Sequence, residues 1–397
     1  MKLRDYQEIA AEKALMFFFD HNRKKNEIIV LPTGSGKSLV ISAVAHLLDS
    51  PVIIFQPSKE ILEQNYQKLI DIGVFDVSIF SASMNKKKVS RITLATIGSA
   101  INQPSLFRHF KYMIIDECDL VNSYGKNMYK RFFEMVPGKI LGLTATPFRM
   151  ASSRFSTEYR FITRMTPRVF GDICHYEQIS TMCEQGYWAK LKYFHLDGFY
   201  QSKITLNSSG ADFSDDGLKK YYEEIKFSDQ LVAVVDKLYK GPRRNILVFT
   251  KFVDEARAIT QLFPGTSEVV SGETPKKERE EILQRFRSGQ IRMVANVGVL
   301  TTGFDFPELE TIIIARPTRS LRLYYQIVGR AVRPHHMKKE AYIIDMCENF
   351  KRFGAVEDLQ ISHDESGKWC IKSRGMQLTN VSIPNDSPNI FTRKEKV

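Results

Sequence analysis

Short runs of consecutive apolar residues alternate with amphipathic stretches along the first 150 residues of the chain. The runs lack the every-second-residue polar pattern of half-exposed strands, so they predict strands buried on both faces. These runs are Glu27–Leu31, Val52–Phe55, Ile92–Thr96, Tyr112–Asp116 and Ile140–Thr144. The segments between them repeat apolar residues at helical spacing. Strand–helix alternation of this kind predicts a parallel sheet with right-handed crossovers.

The alternation weakens from about residue 151 to residue 240 and returns after Gly241–Pro242. The later strand-like runs are Ile246–Thr250, Glu268–Ser271, Ile291–Asn296, Thr311–Ala315 and Ala341–Met346. Beyond Asp364 the chain is polar and irregular, which indicates a short tail. We therefore predict an α/β protein with two tandem lobes, each a parallel sheet flanked by helices. The predicted boundaries are 1–168 for the first lobe, 169–364 for the second and 365–397 for the tail.

A glycine-rich loop, LPTGSGKS, occupies Leu31–Ser38 between a predicted strand and a predicted helix. In that context backbone N–H groups can close on phosphates, and the helix N-terminus adds its positive dipole end. Lys37 would reach the β- and γ-phosphates, and the Ser38 hydroxyl would coordinate Mg²⁺. The residues predicted to bind the nucleotide here are Thr33, Gly34, Ser35, Gly36, Lys37 and Ser38.

An acidic pair, Asp116 and Glu117, lies where the predicted strand YMIID ends. Open α/β sheets bind their ligands at the carboxyl ends of the strands. Asp116 is therefore predicted to hold Mg²⁺, and Glu117 to orient and polarise the attacking water. Near the N-terminus, Arg4 and Gln7 of LRDYQ are candidates for contacts with the adenine, because an amide can both donate to and accept from its edge.

The second lobe contains the sequence YQIVGRAVR at Tyr325–Arg333. Read as one helix, it places Gln326, Arg330 and Arg333 on a single face. A buried helix face has no packing reason to carry two arginines and a glutamine, but it has a catalytic reason if it faces a γ-phosphate. One arginine would then act as an arginine finger, which contributes roughly 10³–10⁵ in rate in phosphoryl transfer.

Six motifs resemble those of the superfamily 2 helicases and occur in the same order. Their amino-acid sequences are most similar to those of the RadD-like DNA-repair ATPases of bacteria. They are LRDYQ, PTGSGKS, DECD, GLTATPFR, VLTTGFDFP and QIVGRAVR. The resemblance implies two RecA-like lobes with ATP and Mg²⁺ bound between them. It also implies that Thr144 and Thr146 couple hydrolysis to nucleic-acid binding. Gly303 and Asp305 match the segment that contacts the nucleotide from the second lobe.

Two departures from the RadD-like pattern are visible. Those proteins carry a cysteine-rich zinc region after the motor, and no such region follows here. The DECD motif ends in Asp119, where histidine is common in that group, so the coupling contacts there are expected to differ. The five cysteines are scattered and form no C-x-x-C pair, so we expect no zinc site.

The charge balance suits a polyanionic partner. The 57 lysines and arginines exceed the 45 acidic residues, which gives a net charge of +12, and cations that contact phosphates release condensed counterions. By the family pattern, Gln56–Lys59, Thr96–Ser99 and Thr250–Phe252 contact phosphates and not bases. We therefore predict sequence-independent binding of nucleic acid, and the family resemblance implies that the ligand is single-stranded or branched DNA. Recombination or replication proteins are possible further partners.

The sequence shows neither a run of eighteen apolar residues nor the apolar region of a signal peptide, so we expect a cytoplasmic protein without a membrane span. Two other functions stay open: an RNA helicase, and an ATP-gated clamp that binds nucleic acid without separating strands. A restriction-system motor is less consistent with the chain, because no nuclease constellation is visible. A metabolic kinase would not need the glutamine–arginine segment.

Overall fold

The computed structural model describes residues 3–121, 128–153, 155–301 and 305–385. The chain divides into two compact units. The first comprises Met1–Arg149 and Arg160–Gln178, and the second comprises Met150–Tyr159 and Ile179–Val397. Among the described residues, none of the helices is both long enough and apolar enough to cross a bilayer.

Strands and helices alternate through most of both units. The strands are β1 (Glu27–Val30), β2 (Val52–Phe55), β3 (Val77–Ser81), β4 (Lys86–Lys87), β5 (Ile92–Ala95), β6 (Tyr112–Asp116), β7 (Lys139–Thr144), β8 (Phe148–Ser152), β9 (Ser156–Phe161), β10 (Asp172–Tyr176), β11 (Lys190–His195), β12 (Ile246–Thr250), β13 (Ser267–Val270), β14 (Met293–Val297), β15 (Thr311–Ala315), β16 (Glu340–Asp345), β17 (Leu359–His363), β18 (Trp369–Ser373), β19 (Met376–Gln377) and β20 (Ser382–Pro384). The helices are α1 (Asp5–Phe19), α2 (Lys37–Leu47), α3 (Lys59–Asp71), α4 (Ile97–Ala100), α5 (Met128–Met135), α6 (Ile179–Glu184), α7 (Asp215–Glu224), α8 (Phe227–Lys240), α9 (Val253–Thr260), α10 (Lys276–Arg287), α11 (Leu321–Val328) and α12 (Asn349–Phe353).

The first unit is built on one large sheet. In the described residues its strand order is β10-β1-β7-β6-β2-β5-β3-β4, and all pairings are parallel except that of β3 with β4. Strands β1, β2 and β5 are buried at every position, as expected for a parallel sheet covered on both faces. The predicted fold class is therefore confirmed for this unit.

The second unit contains a six-stranded, fully parallel sheet with the order β11-β16-β15-β12-β14-β13. Helices α7, α8 and α9 supply apolar residues to the core on this sheet, among them Leu218, Leu231, Val235 and Ile259. Buried strand residues such as Val248, Ala295 and Ile313 face the same core. This unit also confirms the predicted α/β class.

Two of the predicted boundaries differ from the structure. The first unit continues to Gln178 and does not end at residue 168, because β10 pairs in parallel with β1 and so completes the first sheet. Residues 365–385 are not an irregular tail. Strand β18 pairs with β17 and β19, and β20 pairs with β9. Cys370 and Ile371 are buried in this region. The sequence did not predict these strands, because strands this short contain too few apolar residues to be recognised within a polar sequence.

A buried arginine fixes segment 150–159 within the second unit. The Arg319 guanidinium donates hydrogen bonds to Thr157 Oγ1 (2.8 Å) and to Asn385 Oδ1 (2.6 Å). The Tyr159 hydroxyl donates to the backbone oxygen of Arg319 over 2.6 Å. Arg319 stands directly before the N-cap of α11, so these contacts connect the segment to the start of that helix.

Candidate active site

The strand order of the first sheet brings three sequence motifs to one edge. Strands β1, β7 and β6 are neighbours in that order and run parallel, so their carboxyl ends meet at the same edge. The phosphate-loop sequence follows β1, and the segment Thr144–Thr146 begins at the last residue of β7. Asp116 is the last residue of β6, and Glu117 follows it. This is the position at which open α/β sheets bind ligands.

The loop between β1 and α2 has the backbone that its glycines permit. Gly34 and Gly36 have φ values of +80° and +78°, a left-handed conformation that costs little only for glycine. Helix α2 begins at Lys37, directly after Gly36. The loop thus leads into the N-terminus of an eleven-residue helix, the arrangement that a phosphate requires.

Helix α1 holds this loop through its first turn. The backbone oxygen of Ser35 accepts hydrogen bonds from Gln7 Nε2 (2.6 Å) and from the Tyr6 hydroxyl (2.8 Å). Gln7 Oε1 in turn accepts from the Arg4 backbone N–H over 3.0 Å. Arg4 reaches the Tyr6 hydroxyl with its guanidinium (3.4 Å). Gln7 and Arg4 therefore lie beside the loop, and their contact with adenine stays a prediction.

The predicted catalytic carboxylate lies next to the loop lysine. Lys37 Nζ is 3.7 Å from Glu117 Oε1, and both side chains are largely buried. Glu117 has φ +49°, a left-handed conformation that costs roughly 1–2 kcal/mol for a residue with a Cβ atom. Strain of this kind often persists at functional sites, where the surrounding structure imposes it.

Asp116 is a buried carboxyl whose proton affinity is set by its surroundings. Burial, followed by the charge of Glu117, raises the pKa of Asp116 to about 7. The ammonium groups of Lys37 and Lys68 and the Glu117 backbone N–H act in the opposite direction. A bound divalent cation would favour the ionised carboxylate, because opposite charge stabilises the charged form.

The oxygen donors at this edge fit Mg²⁺. The Ser38 hydroxyl and the Asp116 carboxylate are hard oxygen ligands, which this ion prefers, usually together with water and phosphate oxygens. A hydrogen bond of 2.7 Å joins Lys68 Nζ to Ser38 Oγ, and the same ammonium influences the pKa of Asp116. In the described residues, His, Cys, Asp and Glu form no cluster of three or more that could hold a metal ion.

The threonine segment after β7 is joined to the acidic motif. The Thr144 hydroxyl donates to Asp119 Oδ1 over 2.7 Å and accepts from the Thr146 backbone N–H over 3.0 Å. All three residues are buried. Asp119, which replaces the histidine expected from the resemblance, therefore makes a direct contact with the segment that is predicted to couple hydrolysis to nucleic-acid binding.

In the second unit, the helix predicted over Tyr325–Arg333 is shorter than expected. Helix α11 ends at Val328, and only Gln326 of the three predicted residues lies in it. Arg330 follows in a turn, where its N–H donates to the Ile327 oxygen. Gly329 ends the helix, consistent with the low helix propensity of glycine, so the regular spacing assumed for Arg330 and Arg333 does not hold.

Hydrogen bonds and an ion pair connect Gln326, Arg330 and Arg333 to residues near them. Gln326 is buried, and its Oε1 accepts from Arg322 (3.3 Å), while the Gln326 backbone oxygen accepts from Arg330 Nε (3.3 Å). Arg333 forms an ion pair with Asp305. Burial lowers the pKa of Arg333 from its usual high value. Gly303 lies outside the described residues.

The segments predicted to follow the nucleic-acid backbone come directly after strands β2 and β5 and at the end of β12. Hydroxyls of these segments are engaged in hydrogen bonds within the first unit. Ser58 Oγ accepts from Ile61 N and caps α3, and Ser99 Oγ accepts from Ala82 N over 2.9 Å. Thr250 Oγ1 donates to the Phe252 oxygen in the second unit. Contacts of these segments with phosphates stay predictions.

The sequence reasoning missed Tyr6 and Lys68. Tyr6 could have been found, because it stands beside Gln7 on the same first turn of α1. Lys68 carries no local signal, since it is one lysine on an amphipathic helix and its proximity to Ser38 arises only when α2 and α3 pack together.

Two family models match the chain. A family described as "Type III restriction enzyme, res subunit" matches residues 1–149, and one described as "Helicase conserved C-terminal domain" matches residues 229–335. Their order and positions agree with the two units of the structure.

Relatives of this chain extend over most of its length. A 51.5 kDa protein of Lactococcus phage (isolate 7-9) is 28% identical over 338 residues, which cover 82% of this chain and 67% of the relative. The DNA 3'-5' translocase XPB2 of Sulfurisphaera tokodaii is 27% identical over 384 residues, which cover 87% of this chain and 81% of the relative.

Among solved structures, the chain is similar to the ATP-dependent Type ISP restriction-modification enzyme LlaBIII bound to DNA. The TM-score is 0.64 at 17% identity, covering 87% of this chain and 28% of that one. At this identity the likeness supports the fold alone.

Proposed function

Because this chain belongs to the superfamily 2 helicases, we propose that it is an ATP-dependent DNA helicase or translocase that moves along DNA or remodels it in repair, recombination or replication. The relative XPB2 is named as a DNA 3'-5' translocase, which favours DNA over RNA. The more specific resemblance to the RadD-like ATPases stays a prediction, because the matching models describe broader families.

The proposal rests on the proximity of the loop lysine to the acidic motif. Lys37 Nζ lies 3.7 Å from Glu117 Oε1, and Asp116, the preceding residue, is also influenced by the charge of Lys37. A lysine for phosphates and two carboxylates for metal and water are the groups that phosphoryl transfer to water requires. No packing need explains two buried acids and a lysine at a strand end.

The geometry suggests how these residues would act. A triphosphate held by the loop N–H groups would attract the Lys37 ammonium and so weaken its pairing with Glu117. Glu117 could then orient water for attack on the γ-phosphorus and accept its proton. Mg²⁺ held by Ser38 and Asp116 would neutralise charge on the phosphate oxygens. Arg330 and Arg333 are proposed to stabilise the transferring phosphoryl group.

The test measures ATP hydrolysis with single-stranded, duplex and forked DNA and with RNA. We expect stimulation by DNA, loss of activity in Lys37→Ala, and normal activity in the control Lys130→Ala. Lys130 lies in the same unit but is exposed and pairs only loosely with Glu134, at 3.8 Å. Normal hydrolysis by Lys37→Ala would contradict the proposed site.

Two outcomes would favour the alternative functions. Stimulation by RNA and not by DNA would indicate an RNA helicase. DNA-stimulated hydrolysis without displacement of a strand from forked or blunt substrates would exclude a helicase and leave either a translocase, which is part of the proposal, or an ATP-gated clamp, which is an alternative to it. A strong decrease in DNA binding with rising salt is expected in each case, because phosphate contacts release counterions.

A further inference from the structure

A second lysine contacts the phosphate loop from a helix that the sequence motifs do not include. Lys68 lies in the last turn of α3, and its Nζ donates a hydrogen bond of 2.7 Å to Ser38 Oγ. Ser38 is the second residue of α2 and the hydroxyl that would hold Mg²⁺. One cation therefore bonds directly to a proposed metal ligand.

The chemistry of the hydroxyl makes this contact consequential. A serine oxygen has two lone pairs and one proton. As a ligand it must direct a lone pair at a divalent cation roughly 2.1 Å away. An ammonium group that donates to the same oxygen uses a lone pair and places a positive charge beside the incoming ion. Ammonium and metal therefore compete for Ser38 and repel each other.

We propose that Lys68 is a positioning residue that holds the Ser38 hydroxyl and competes with the divalent metal for it, so that the metal binds together with the nucleotide and not before it. The inference rests on the proposed nucleotide site. The phosphates supply the negative charge that allows two ammonium groups, Lys37 and Lys68, and a divalent cation to share one pocket. Without phosphates, the negative charge at this site comes from carboxylates such as Asp116 and Glu117, which do not match the charge of a triphosphate.

The arrangement of the two lysines supports this role. Lys37 is paired with Glu117, the proposed water-orienting residue, and Lys68 is bonded to Ser38, the proposed metal ligand. Each lysine thus contacts a group that the reaction requires for another contact, Glu117 for water and Ser38 for the metal. Binding of the metal–nucleotide complex would replace both lysine contacts, and at Ser38 the metal would have to displace Lys68.

The experiment titrates the full chain with Mn²⁺ and follows the free ion by electron paramagnetic resonance, with and without ADP, each compared with the same titration without protein because ADP itself binds the ion. We expect Lys68→Gln and Lys68→Met to bind Mn²⁺ without nucleotide at least about tenfold more tightly than the unmodified chain, a factor that corresponds to about 1.4 kcal/mol. Lys68→Arg keeps the charge and should bind Mn²⁺ as weakly as the unmodified chain. The exposed Lys130→Gln is the matched control and should cause no change.

Unchanged or weaker Mn²⁺ binding in both neutral variants, with melting temperatures near that of the unmodified chain, would overturn the inference. If the contact only held α2 and α3 together, the neutral variants would change the melting temperature. Lys68→Arg would then not return the Mn²⁺ affinity to that of the unmodified chain. If the unmodified chain bound no Mn²⁺ even with ADP, the proposed nucleotide site itself would be wrong. Failure of the site and failure of the Lys68 inference are thus distinguishable.

Discussion

Thr144 donates a hydrogen bond of 2.7 Å to the carboxylate of Asp119, and both residues are buried. The bond joins the turn after β6, which follows the predicted catalytic carboxylates, to the end of β7. The same Thr144 oxygen accepts from the Thr146 backbone N–H, so a change at Asp119 can shift the backbone of the threonine segment. This contact is a physical route by which the acidic motif and the threonine segment can influence each other.

Replacing Thr144 by valine should uncouple hydrolysis from DNA binding. The change removes a buried hydrogen bond to a carboxylate, which contributes roughly 1.5–3 kcal/mol to stability. We expect the ATPase rate without DNA to persist and its stimulation by DNA to fall. Steady-state ATPase assays over a range of DNA concentrations measure both rates. Thr144→Ser, which keeps the hydroxyl, should retain most of the stimulation, and an equal loss of both rates in Thr144→Val would contradict the coupling role.

Gly36→Ala should weaken nucleotide binding through a contact with helix α1. An added Cβ would lie 2.6 Å from Gln7 Nε2, in addition to the strain at φ +78°. We expect the dissociation constant for ADP to rise at least about tenfold, or about 1.4 kcal/mol, as measured by isothermal titration calorimetry. Gly73→Ala has the same kind of strain, at φ +83°, but no atom within 4 Å, and should lower only the melting temperature.

A similar affinity for ADP in the Gly36 and Gly73 variants would show that the contact with Gln7 does not matter. The double variant Gly36→Ala with Gln7→Ala removes the clash but not the strain. Its affinity compared with that of Gln7→Ala alone therefore separates the two effects.

Arg330→Ala and Arg333→Ala should each prevent hydrolysis while nucleotide binding stays measurable. The loss expected for an arginine finger is on the order of 10³ in kcat or more. Binding of a fluorescent ATP analogue, followed by anisotropy, measures affinity independently of turnover. Arg374→Ala is a suitable control in the same unit, because Arg374 is exposed and pairs with Asp358. Normal hydrolysis by a variant lacking both Arg330 and Arg333 would refute their proposed role.

Stability should depend on pH through Asp345. This carboxyl, the last residue of β16, is buried and accepts hydrogen bonds from Phe350 N (2.7 Å) and Asn349 Nδ2 (2.8 Å). Burial raises the pKa of Asp345 to about 6. The folded chain therefore holds this proton more tightly than the unfolded chain, and the stabilisation from protonation is lost as pH rises from about 4 to about 6. The contribution is at most about 3 kcal/mol, from about 1.4 kcal/mol for each pH unit.

The measurement compares melting temperatures of the unmodified chain and Asp345→Asn between pH 4.5 and 7. Other groups titrate in both proteins, so the difference between the two curves isolates Asp345. We expect the melting temperature of the unmodified chain to fall relative to the variant as pH rises. Parallel curves would show that Asp345 does not titrate in this range.

Much of the sheet structure followed from local sequence. Runs of apolar residues located β2, β6, β12 and β15 at their observed bounds, because a strand buried on both faces consists mostly of apolar residues. The phosphate loop was equally clear, since its glycines are required by backbone geometry. The helix predicted over Tyr325–Arg333 ends at Val328, because Gly329 has a low helix propensity, although the side chains beyond it keep helical spacing in the sequence.

Local sequence patterns were sufficient to predict the two α/β units and the identity of the groups at the strand ends. Both depend on short-range rules of burial and backbone conformation. Which polar groups meet depends instead on how the elements pack. The contacts of Lys68 with Ser38 and of Thr144 with Asp119 join residues on different elements, and no periodicity within one element encodes them. The pairing of β10 with β1 likewise arises from packing, because hydrogen bonds between strands depend on where the chain returns and not on local composition.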